Sequence, residues 1–167
     1  GCGPGYFLDA MKDREYTNLT GVPLRPEDVT LCESKGHSIK QYDLSFLPVA
    51  DGYVDESVDF IFLRHALEHS PFPVFSLIEY NRVLKQGGKM YIEVPAPDCD
   101  RRHEYNDNHF SIQLGALLLR TGFNIDIFNN LEFDLNVPSS EVPGESIKVT
   151  EKYYCIVVTK VQPLDIK

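Results

Sequence analysis

Apolar and polar positions along this chain switch repeatedly between a helical and a strand period. Phe7, Leu8 and Met11 share one helical face, which predicts a first helix from about Gly5 to Arg14. Tyr16 to Val22 reads as a strand. Pro26 then suits a first helical position, with Glu27 and Asp28 in the first turn, Lys35 in the last and Gly36 just beyond. Ser38 to Asp43 is a more polar strand candidate, whereas Val58 to Leu63 is a nearly continuous apolar run, as in a strand covered on both faces. After Pro71 and Pro73, the stripe Val74, Leu77, Ile78 and Leu84 predicts a helix ended by Gly87-Gly88. Lys89 to Val94 is a strand, Ser111 to Arg120 a helix, and Phe123 to Phe133 and Lys152 to Lys160 the last two strands.

Alternation of helices and strands is the mark of an α/β sheet with crossover helices. The two final strands follow one another directly, which predicts an antiparallel hairpin at a sheet edge. Pro95 to Asn108 is polar and irregular, and Asn136 to Ser146, with two prolines and a glycine, predicts a long hairpin connection.

The length of 167 residues fits one domain spanning 1–167. With 16 basic against 25 acidic residues the net charge is −9, which argues against a nucleic-acid partner, since nonspecific binding of that kind depends on phosphate neutralisation. No apolar run is long enough to span a membrane. Cys2, Cys32, Cys99 and Cys155 are scattered without a C-x-x-C pair, so reduced thiols in a cytoplasmic protein are expected rather than structural zinc.

Candidate chemistry gathers at predicted strand ends, where open α/β sheets bind ligands. Gly1-Cys2-Gly3-Pro4-Gly5 is a glycine-rich turn running into a helix, a device that brings backbone close to a ligand and aims helix N–H groups at it. Asp43, Arg64 to His69 and Glu93 to Asp98 are the other strand-end segments. In this architecture the glycine turn follows a mid-sheet strand, so the pattern predicts a domain lacking its N-terminal strand.

Gly1 to Gly5, Asp43-Leu44-Ser45-Phe46-Leu47-Pro48, Val58-Asp59-Phe60-Ile61, His65-Ala66-Leu67-Glu68-His69 and Arg82 to Gly88 occur in the order and spacing of a known superfamily. Over about residues 1 to 95 the chain resembles the class I S-adenosylmethionine-dependent methyltransferases of the small-molecule type (type 11-like). The resemblance implies a Rossmann-like three-layer α/β/α sandwich, mostly parallel, with strand order 3-2-1-4-5-7-6 and strand 7 antiparallel. It implies S-adenosylmethionine as cofactor, with Gly1, Gly3 and Gly5 under its amino-acid and ribose portions and Asp43 and the Leu44 N–H at the adenine. Arg64, His65 and Ala66 would line the sulfonium end, and the acceptor would be a small molecule. The family's acidic ribose ligand is replaced here by Pro23, which offers neither acceptor side chain nor backbone donor.

Methyl transfer needs positioning, and a base where the nucleophile must lose a proton. His65 is the candidate catalytic residue, and His103 and His109 are candidates for the substrate-facing wall formed by Pro95 to His109. A missing first strand would leave two apolar strand edges unpaired, which predicts a homodimer, strand rearrangement or a filled gap. Two other readings stand beside an active enzyme. One is an inactive methyltransferase fragment. The other is a zinc hydrolase, because residues 65–69 also spell H-x-x-E-H, which on a helix would place two histidines four apart.

Overall fold

The computed structural model describes residues 1–41, 54–97, 108–138, 144 and 146–161. Helix α1 (Tyr6–Lys12) leads to the short strand β1 (Thr20–Gly21), then α2 (Pro26–Ser34) and β2 (Ser38–Ile39). Strand β3 (Val58–Arg64) is followed by a 3₁₀ turn (Leu67–His69) and α3 (Pro73–Val83). Strand β4 (Leu84–Pro95), α4 (Asn108–Arg120), β5 (Phe123–Pro138) and β6 (Ser146–Lys160) complete the chain.

The strands form two sheets. β1 and β2 pair in parallel, and β3-β4-β6-β5 forms the larger sheet, in which β3 and β4 are parallel and β6 is antiparallel to both its neighbours. This is the expected α/β order with its antiparallel hairpin at the edge. Phe7 of α1 stacks on Phe62 of β3, with ring centroids 3.7 Å apart, and joins the two parts.

One face of the larger sheet carries the core. Met90, Ile92 and Val94 of β4 and Ile156 and Val158 of β6 pack with Leu77 and Tyr80 of α3 and Leu114 and Leu118 of α4, all buried. Alternation along each strand sends the other side chains to the opposite face. There the register aligns Arg64, Glu93, Cys155 and Asn129 into a polar row across all four strands.

Several predicted boundaries move. Gly87-Gly88 does not end a helix: α3 stops at Val83, with Leu84 already extended. Pairing jumps from Val58↔Leu84 to Phe60↔Lys89, so residues 85–88 loop out of the ladder, and Gly87 turns that loop with φ +75°. The predicted 136–146 connection is shorter, because Pro138 still pairs with Ser146. β1 is only two residues long, against the expected Tyr16 to Val22.

Candidate functional site

The glycine turn is fixed from below by α2 and β2. Gly5, with φ +84°, precedes α1, and a Cβ there would stand 3.0 Å from Cys32 Sγ and 3.4 Å from His37 Cδ2. Lys35 Nζ donates to Pro4 O at 2.9 Å and to Asp9 Oδ2 at 2.8 Å, while His37 Nε2 lies 2.7 Å from Asp9 Oδ1. These bonds hold the Asp9 carboxyl below its usual range, Lys35 contributing most. Gly3 differs from Gly5: its φ is +50°, and a Cβ would meet nothing within 4 Å. The turn is therefore clamped on one side and open above Gly3.

The end of β3 supplies the second wall. His65 sits directly after the strand with φ +48°, a strained conformation for a residue with a side chain, and its N–H donates to Glu93 O at 3.0 Å. Its ring lies between two carboxyls, Nδ1 3.3 Å from Glu68 Oε1 and Nε2 3.3 Å from Glu93 Oε1. The Glu68 contact is off the hydrogen-bonding line, so Glu68 acts on the ring as a nearby buried charge. Glu68 and then Glu93 raise His65 to about 9, and the ring is an imidazolium at neutral pH. Glu93 is drawn down to about 2, first by His65 and then by Arg64 Nε at 2.7 Å and Tyr91 Oη at 2.8 Å. Burial is the main cause raising the Tyr91 phenol well above its ordinary range. Tyr153 packs edge-on against His65 at 4.7 Å and donates a short hydrogen bond to Glu151.

Glu68 is the group least satisfied by its surroundings. Its side chain has no exposed surface, and neither carboxylate oxygen has a hydrogen-bond partner among the described residues. Such a group is costly in an apolar setting unless a positive charge lies near. It lies within electrostatic reach of the Gly1 amino group.

Of the expected site residues, Gly1, Gly3 and Gly5 form the turn before α1, and Arg64, His65 and Ala66 follow one another at the end of β3. Asp43, Leu44 and His103 lie outside the described residues, and His109 stands in the first turn of α4. Asp28, in the first turn of α2, is buried and engaged by Arg25 Nε at 3.0 Å. The H-x-x-E-H segment forms a strand end and a 3₁₀ turn rather than a helix, and the Glu68 carboxyl lies between the two imidazoles, 4.0 Å from His69 Nε2. Among the described residues no group of three such side chains could hold a metal ion. Tyr91, Tyr153 and the buried Glu68 are site residues that periodicity did not single out. The signal for Glu93 was its place at a strand end in an otherwise apolar run.

The glycine turn before α1 and the charged cluster at the carboxyl end of the parallel strand β3 stand where open α/β sheets bind their ligands. The family described as methyltransferase domain matches residues 1–92, and the chain belongs to it. The fold is shared with solved structures of low identity. A SAM-dependent methyltransferase from Methanosarcina mazei is 18% identical with a TM-score of 0.68, over 96% of this chain and 90% of that one. The S-adenosylmethionine-dependent methyltransferase from Mesorhizobium loti is 15% identical with a TM-score of 0.67, over 95% and 88%. A complex of the Trm112 methyltransferase activator from Haloferax volcanii contains a similar chain, 20% identical with a TM-score of 0.71, over 97% and 80%. No curated protein matches the sequence.

The chain is thus a methyltransferase by family, with S-adenosylmethionine as its methyl donor. Its residues fit that cofactor: no atom stands within 4 Å of a Cβ built on Gly3, and the buried Glu68 carboxylate, faced by the His65 ring, keeps both oxygens without a hydrogen-bond partner among the described residues. No helix among the described residues is long and apolar enough to cross a membrane.

Proposed function

We propose that this chain, as one domain over residues 1–167, transfers a methyl group to a small-molecule acceptor in the cytoplasm. What supports the reading is the open glycine turn together with His65 and Glu68 inside the stretch that matches the family, with Glu93 one residue beyond it. Bound S-adenosylmethionine supplies an electrophilic methyl on a sulfonium. Gly1, Gly3 and Gly5 would hold its amino-acid and ribose portions, Asp43 and the Leu44 N–H its adenine, and Arg64, His65 and Ala66 its sulfonium end.

His65 in this setting holds a proton rather than waiting to take one. At neutral pH it acts as a charged donor that orients the acceptor, and it becomes a base only as the pH approaches about 9. Arg64, more than half exposed beside Glu93, adds a second donor at the rim. His103 and His109 complete the acceptor side of the proposal.

The net charge of −9 favours small acceptors over nucleic acid. Incubating the protein with methyl-labelled S-adenosylmethionine and a whole-cell extract tests the acceptor class. Label in a low-mass extractable product is expected. Label confined to precipitated nucleic acid or protein would contradict the proposal.

A further inference from the structure

Beyond Pro95, the last residue of β4 to pair with β6, the terminal hairpin continues without β4. Residues 146–152 of β6 pair with 132–138 of β5 and overhang the carboxyl ends of β3 and β4. The two faces of this arm differ sharply. Glu132, Asp134, Asn136, Lys148, Thr150 and Lys152 occupy one, tied by Lys148–Asp134 at 2.6 Å and Thr150–Asp134 at 2.9 Å. The other carries Leu131, Phe133 and Leu135 from β5, exposed by 45%, 41% and 38%, beside Val149 and the 49%-exposed Ile147 of β6.

The apolar stripe begins at the site. Tyr153 meets His65 at 4.7 Å on one side and Phe133 at 5.6 Å on the other. Glu151 shares this face, but it is buried and takes the Tyr153 hydroxyl. The polar row Arg64, Glu93, Cys155 and Asn129 separates the stripe from the apolar residues lower on the sheet. From Tyr153 to Ile147 the stripe is about 20 Å long at strand rise. Charges therefore stand at its foot and hydrocarbon runs along its length.

We propose that the arm holds the apolar tail of the methyl acceptor, which is an amphipathic small molecule. Its polar, nucleophile-bearing head lies at the Arg64–His65–Glu93 end and its aliphatic chain follows Phe133, Leu135 and Ile147. This rests on the methyltransferase reading above and names its substrate class. A stable protein interface uses roughly 20–30 residues a side, whereas the stripe offers five. The charge of −9 also opposes both a second copy and an anionic membrane.

The test is calorimetric titration of the intact chain with hexanol, octanol and decanol, with S-adenosylhomocysteine titrated into the same samples. Affinity should rise about two- to fourfold per added methylene. That dependence should vanish in Phe133→Asn and Leu135→Asn and survive in Asp134→Asn on the opposite face. A flat series with intact S-adenosylhomocysteine binding overturns the tail site alone. Alkanol binding without S-adenosylhomocysteine binding overturns the acceptor assignment by removing the reaction it serves. A dimer in sedimentation that Phe133→Asn dissociates, or capture by zwitterionic vesicles lost in that variant, also overturns it.

Discussion

His65 is where sequence and surroundings combine most tightly. A histidine just past a strand is legible as a site residue, but its charge is not, because that depends on Glu93 from the neighbouring strand and Glu68 from the following turn. The consequence is a stability profile with two flanks. His65 is raised from 6.5 to about 9, so its contribution is complete below 6.5 and lost as the pH rises through 9. Glu93 is lowered from 4.5 to about 2, so its contribution is present above 4.5 and lost as the pH falls through 2. Urea midpoints of the wild type and Glu93→Gln should therefore differ most between pH 4.5 and 6.5 and narrow toward 9, where the part due to Arg64 and Tyr91 remains. A gap that stays constant from 6.5 to 9 would show that the ring is not clamped as described.

Among the elements, the strongest apolar patterns were read correctly in type and place: α2 begins at Pro26 as its signals indicate, and β3 covers Val58–Arg64. Errors gathered where tertiary pairing overrides local signals. Gly87-Gly88 looks like a helix stop, yet helix and strand abut at Val83 and Leu84, and the glycines serve the loop-out between two ladder pairs. A Cβ on Gly88 would lie 2.8 Å from Lys85 O and 3.2 Å from Asp59 O, both backbone atoms that cannot swing aside. Gly88→Ala should cost about 1–3 kcal/mol in denaturant unfolding. An unchanged midpoint would mean that the loop adapts. The hairpin arm was also under-read, because Asn136 and Pro138 look like loop residues but pair across to Lys148 and Ser146. Long-range pairing of this kind leaves no local trace beyond alternation, here Leu131, Phe133 and Leu135 against Glu132, Asp134 and Asn136.

At the scale of the whole molecule, fold class, strand order and family were legible because glycine turn, strand ends and helix starts agree with one another over residues 1–92. The acceptor was not, since the site proposed for it draws on β3, β4 and the far end of the hairpin, which are distant in sequence. The division into two sheets leaves the glycine turn on the side of β1 and β2 and the His65 cluster on the side of β3 and β4. The Phe7–Phe62 stack and the approach of Gly1 to Glu68 connect them. The central claim is that these parts together bind S-adenosyl cofactors, and calorimetric titration with S-adenosylhomocysteine tests it most directly. Saturable binding at one site is expected, weakened about tenfold or more in Gly3→Val, which strains the turn and fills the space above it. Absence of saturable binding, or equal binding by Gly3→Val, would contradict the account.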